Sequence, residues 1–184
     1  MSAGLDTLCR WGAGWYPLGR YMCILFETIE LDLQTREQRQ IKNELLRRDP
    51  IPGQIQQARD YRARFSQCEH RPTKASLRYN CHGLTFAARR TAITESTAIQ
   101  SILADDGYAE VDWSDIFVGD VAVYSEQGDF SHSGIVVNVD QSGVVPVIWV
   151  LSKWGHAHEV VHKLHDCPYA GQPDSQIHFW RMVQ

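Results

Sequence analysis

The stretch RYNCHGLTFAARR (residues 78–90) changes character at its fourth residue. Arg78 and Tyr79 read as extended chain. From Cys81 onward, Leu84, Phe86, Ala87 and Ala88 begin an apolar face, and the spacing predicts a helix from about Cys81 to Arg90. The cysteine stands at the junction, between the polar Asn80 and His82, with Gly83 keeping the entrance small. A thiol in that position has chemical meaning. Its reactive form is the thiolate, and the first N–H groups of a helix favour negative charge. The same groups could hold an oxyanion when the sulfur attacks a carbonyl. The plainer alternative is a buried cysteine at a helix start.

Upstream, ELDLQTREQRQIKNELLRR (residues 30–48) places Leu31, Leu33, Ile41, Leu45 and Leu46 near one stripe and is expected to be helical. Asp49-Pro50 ends it, because a residue before proline avoids the helical region. IPGQIQQARDYRARF (51–65) resumes as a short helix after Gly53, and residues 67–77 read as loop. Downstream, TESTAIQSILADDGY (94–108) is a helix with Thr94 or Ser96 as N-cap and Gly107 as stop. After residue 110 come short runs rich in valine, isoleucine and aromatics: DIFVGDVAVYS, SHSGIVVNV, VVPVIWVLSKW, AHEVVHKL and SQIHFWRMV. DQSG (140–143) is a hairpin turn in this reading. Helices first and strands after predict an α+β fold, with N-terminal helices packed on a C-terminal antiparallel sheet.

The 184 residues suffice for one core without staples. A net charge of −4 gives no broad footprint for nucleic acid. Cys9, Cys23, Cys68, Cys81 and Cys167 are odd in number and unpaired in spacing, which suits free thiols in a reducing compartment. WYPLGRYMCILF (15–26) is too short and too interrupted for a membrane span and makes a poor signal peptide. It is read as a docking segment, or as extra sequence if translation starts at Met22. The expected organisation is an uncertain N-terminal segment, 1–29, and a single domain, 30–184. The expected address is cytoplasmic, with export by another route compatible. No membrane partner and no cofactor are expected.

A second block, GDVAVYSEQGDFSHSGIVV, carries His132 at the start of a β-branched strand. A histidine held on a sheet can serve a thiol as base. Together, YNCHGLTFA and VGDVAVY…HSGIVV resemble the two signature blocks of the NlpC/P60 cysteine peptidases and, more loosely, the CHAP amidases. The matching positions are Asn80, Cys81, Gly83 and Leu84, then Gly119, Asp120, His132, Gly134 and Ile135, within roughly residues 75–155. The resemblance implies a papain-like core in which Cys81 attacks an amide carbonyl and His132 acts as base and then acid. It implies peptidoglycan peptides as the usual substrate. Two departures stand out: Asn80 where the family has aspartate, and His82 where it has serine. Asn80, His82 and Tyr79 are the candidate substrate and oxyanion residues.

The resemblance also implies a third polar residue on the next strand, orienting the histidine. If the hairpin turns at 140–143, residue 132 lies opposite about 151–153. Ser152 is preferred over Lys153, because a nearby ammonium would oppose a charged imidazole. His156 and His158 are rivals. HEVVH (158–162) matches a zinc-protease pattern, but that pattern needs a helix. Gly155, two valines and Pro168 favour a strand, which would set His158 and His162 about 13 Å apart. A zinc hydrolase using His158 and His162, or another metal geometry drawing on His165 and Cys167, is one alternative. A non-catalytic binding module on the same fold is another. Arg89 and Arg90 are expected at the surface, and Trp149 and Trp154 in the core or at its rim.

Overall fold

The computed structural model describes residues 28–171 and 174–183. The N-terminal segment, with Cys9, Cys23 and the alternative start at Met22, therefore lies almost entirely outside the described residues. In chain order come β1 (Thr28–Ile29), β2 (Leu45–Leu46), α1 (Pro52–Arg64), β3 (Glu69–His70), α2 (Cys81–Phe86) and α3 (Ser96–Asp105). Then follow β4 (Tyr108–Val111), β5 (Val121–Glu126), β6 (Asp129–Asp140), β7 (Val147–Lys153), β8 (Glu159–Lys163) and β9 (Ser175–Met182). The class is α+β. Seven of the strands form one antiparallel sheet in the order β3-β8-β7-β6-β5-β9-β4. No helix among the described residues is long and apolar enough to cross a membrane.

The helix expected over residues 30–48 is not there. The segment instead doubles back: Ile41 N–H donates to the Leu33 carbonyl, Thr35 N–H to that of Arg39, and β1 pairs with β2. Burial explains the misreading. Ile41, Asn43 and Leu45 are buried, while Lys42 is exposed and Glu44 only half-buried. That is a strand's period of two. Asn43 sits where a helical stripe would tolerate a polar residue, and it is buried because its side chain bridges Leu31, Ile41 and Thr91.

Two other helices differ at their ends. α2 stops at Phe86, short of Arg90, because the Gly83 carbonyl accepts from both Ala87 and Arg89 N–H while Ala88 and Arg89 turn left-handed. α3 is capped at Glu95 with no side-chain hydrogen bond, and the Ser96 hydroxyl instead accepts from Phe130 N–H at 3.0 Å.

The sheet is covered on two sides. One core gathers Ala58 of α1 with Ala122, Tyr124, Val136, Val150, Val160 and Trp154. The other gathers Ile41, Ile93 and Ala87 with Ile99, Ile102 and Leu103 of α3. This is why every residue of β5 except Glu126 is buried: neither face of that central strand meets solvent. α2 packs on β6 and β7. Two glycines permit the approach. A Cβ on Gly83 would collide with the Thr91 carbonyl, and one on Gly134 would strike Val150 Cγ1 and come within 2.8 Å of the Leu151 carbonyl. The Gly119-Asp120 pair is structural as well. Buried Asp120 accepts from Phe117 N–H and takes both ends of the Arg181 guanidinium, at 2.7 and 2.8 Å.

Gly83→Ala and Gly134→Ala should each lower stability by about 1–3 kcal/mol in urea unfolding, the cost of overpacking. Gly53→Ala, on α1 with nothing within 4 Å of the added carbon, should be neutral or stabilising.

Candidate active site

The site is built around the head of α2. Asn80 caps the helix: its Oδ1 accepts from Gly83 N–H at 2.8 Å and from Ile93 N–H at 3.1 Å. Its Nδ2 donates to the Ile93 carbonyl at 2.6 Å. The last bond needs an amide, since a carboxylate there would face a carbonyl oxygen. Both ends of the Asn80 amide are thus engaged by the backbone of Gly83 and Ile93.

Cys81 opens the helix and is 6% exposed, and His132, on β6, is 0% exposed. The two are near enough for the charge of His132 to bear on the sulfur and help lower the thiol. Neither ring nitrogen of His132 has a hydrogen-bond partner, however. Burial is the largest single influence on the Cys81 thiol and pushes it up. His82 and His132 together outweigh burial and hold the thiol well below the ordinary cysteine range.

Successive residues of β6 face opposite ways. Ser133 turns to α2, where it meets His82 and Thr85. His132 turns toward Tyr124, 5.3 Å between ring centroids, and lies flat against Tyr169 at 4.0 Å and 7°. Tyr169 comes from the segment between β8 and β9 and covers one face of the imidazole.

Ser152 lies in the same neighbourhood but serves another histidine. Its register partner is Gly134 rather than His132. Its Oγ lies 2.8 Å from His162 Nε2 and accepts from Trp154 Nε1–H at 3.1 Å. His162 Nδ1–H is committed to the Lys163 carbonyl, so the ring's other nitrogen accepts and takes the one Ser152 proton. That hydroxyl makes no hydrogen bond to His132. His158 is equally occupied, its Nε2 2.6 Å from His70 Nδ1, and His70 donates from Nε2 to the Phe65 carbonyl. HEVVH runs into strand β8, as the sequence predicts, and its two histidines have separate partners.

Its glutamate has a different use. Glu159 is buried and binds the Arg89 guanidinium at 2.6 and 3.1 Å and the Tyr79 hydroxyl at 2.7 Å. Burial raises its carboxyl, but these donors prevail and hold it below the usual range. Tyr79, a candidate oxyanion residue, is thereby tied to the sheet, and Arg89 is a structural partner as well as a surface residue. Lys153 is fully buried, with Nζ donating to the Ser76 and Gly155 carbonyls at 2.9 and 2.7 Å and lying 5.1 Å from the Tyr79 ring centroid. Burial lowers its amine to about 8, against the opposing charges of Cys81 and Glu159.

Tyr169, Thr85 and Ser133 are the neighbours that sequence reading did not single out. Thr85 carried a usable signal, because a hydroxyl four residues after Cys81 falls over its carbonyl on a helix. Tyr169 carried none, since only the path between β8 and β9 brings it to His132. No protein-family model matches this chain, and no curated protein or solved structure matches it significantly.

Asn80→Asp should cost about 1–2 kcal/mol in urea unfolding, through the lost bond to Ile93 and the oxygen-against-oxygen contact that replaces it. A second expectation concerns acid. Burial, assisted by the charge of His132 and opposed by the Lys163 carbonyl, pushes His162 down to about 4. His158 is also pushed down to about 4, chiefly by burial and then by Arg62. The unfolded chain, with histidines near 6.5, then binds more protons than the folded one between pH 4 and 6.5. Stability should fall as pH drops through that window. The His162 share is on the order of 3 kcal/mol, and His162→Gln should flatten the slope in denaturant titrations.

Proposed function

We propose that this protein is a thiol hydrolase of amide bonds on a papain-like, NlpC/P60-type core. The carrying observation is that the Cys81 sulfur and the His132 imidazole share one buried site, with the thiol shifted toward its thiolate. The thiol proton passes to His132 and the sulfur bonds to the amide carbon. The resulting oxyanion lies at the first turn of α2, whose leading N–H groups have no acceptor within the helix. Collapse breaks the C–N bond, and His132 returns the proton to the leaving nitrogen. Water then attacks the thioester, gives its proton to His132, and restores the thiol.

The six-residue helix supplies only a short dipole, so side-chain charge does more for the thiolate than the helix does. Peptides of the bacterial cell wall are the first substrate class to test. Transfer to an amine acceptor in place of water would use the same thioester. One observation favours a second reading, a non-catalytic module on this fold: His132 is fully buried, with Tyr169 on its face. Under the hydrolase reading that ring must be reached past Tyr169 or from the side of the sulfur.

The test combines purified wall fragments and a peptide library, read by mass spectrometry, with iodoacetamide labelling. Cys81 should be the cysteine labelled first at neutral pH, and labelling should abolish turnover. Cys81→Ala and His132→Ala should each reduce turnover by roughly a thousandfold or more with the fold intact. Retained hydrolysis in either variant would refute the assignment. An unreactive Cys81 in a protein that binds fragments without cleaving them would establish the module.

A further inference from the structure

The hydrogen bonds around His82 run in one direction only. Thr85 Oγ1 lies 3.0 Å from the Cys81 carbonyl, which cannot donate, so the single Thr85 hydroxyl proton is committed there. Ser133 Oγ lies 3.0 Å from Thr85 Oγ1, so Ser133 donates in that contact. Its one proton is then spent, and the 2.8 Å contact between His82 Nδ1 and Ser133 Oγ needs a proton on Nδ1. The other ring nitrogen, Nε2, lies 3.3 Å from the Phe130 carbonyl, again an acceptor only. Both nitrogens of this buried ring are donors.

We infer that His82 is a standing imidazolium, and that this fixed positive charge, rather than a helix dipole, holds the neighbouring Cys81 as thiolate. His82 transfers no proton. It is a positioning residue that acts through the sulfur, and the inference rests on the reading of Cys81 as nucleophile. His132 remains the group that accepts the thiol proton and delivers it to the leaving nitrogen.

The charges agree with the geometry. Burial pulls His82 down, yet the Cys81 sulfur and the Phe130 carbonyl raise it above the ordinary histidine value. Among the charges acting on Cys81, that of His82 is the largest. The titratable groups facing the sulfur are His82 on α2, His132 on β6, Lys153 on β7 and Tyr169 beyond β8. Those facing His82 across its hydrogen bonds, Ser133 and Phe130, carry no charge. His82 replaces the serine of the family pattern, and this chain thereby places a cation beside its thiol where that pattern has a neutral hydroxyl.

The test is nitrogen NMR on protein labelled at histidine, with His82 assigned from the spectrum of His82→Gln. Both His82 nitrogens should be protonated at pH 7, and the Cys81→Ala variant should lower the pH at which the ring titrates. In parallel, the rate of Cys81 alkylation by iodoacetamide is followed against pH. His82→Gln should move the midpoint up by about one unit, roughly a tenfold slower reaction below it. Ser133→Ala, which removes the acceptor of Nδ1–H, should move it the same way by less. A single-proton His82 at pH 7, or an unmoved alkylation midpoint in His82→Gln, would overturn the inference. If His82→Gln does not fold, the wild-type spectrum, assigned through its response to Ser133→Ala, decides alone. None of these readouts depends on substrate. Doubly protonated His82 in a protein that hydrolyses nothing would count against the proposed function and leave this inference standing.

Discussion

α2 is too short to hold its own shape. Six residues close few internal hydrogen bonds, and isolated helices of that length do not persist in water. What fixes it is the clamp made by one amide. Asn80 ties the first turn of the helix to Ile93, and Ile93 is wholly buried in the core beneath α3. With the turn fixed, Gly83 can lie against the Thr91 backbone, and Cys81 is delivered to β6 at the height of His132 and Ser133. Everything chemical about the site follows from that placement. Without it, the sulfur, the two imidazoles and the relay of hydroxyls would have no reason to lie together in the interior.

Much of this was legible in the chain. The five segments rich in β-branched residues after position 110 became β5 to β9, because near-continuous runs of valine, isoleucine and aromatics suit a pleated surface packed on both sides. The start of α2 at Cys81 was marked by the apolar face that begins there. The segment 30–48 misled because four leucines and an isoleucine can be fitted to a helical stripe. The decisive residue there is Asn43, whose buried amide makes sense only once Leu31, Ile41 and Thr91 surround it. Strands β3 and β4, of two and four residues, carried too little pattern to be seen. Ser152 illustrates a different limit. Counting along a hairpin brought it to the right part of the sheet, but a bulge between Val136 and Asn138 sets the register, and the partner of a hydroxyl is decided by tertiary contacts.

The interior around the sulfur holds more ionisable groups than a core of this size ordinarily tolerates: Cys81, His82, His132, Lys153, Glu159 and His162. Buried charge is costly unless matched. The matching here is local. Glu159 has Arg89 and Tyr79, Lys153 has two backbone carbonyls, and His162 stays neutral between Ser152 and the Lys163 carbonyl. His132 is the exception, a buried ring with aromatic neighbours and no settled hydrogen bond.

The position of β9 bears on how the chain is made. It follows β8 in sequence but lies between β5 and β4 in the sheet. Until residues 175–182 have been synthesised, β5 has an open edge and β4 has no strand to pair with among the described residues. The meander β5 to β8, which carries His132, can assemble early from near neighbours, while its flank stays available to any other extended chain. A nascent or truncated polypeptide that stops before β9 would present that edge to its neighbours, and self-association on the ribosome or in an overexpressing cell would begin there.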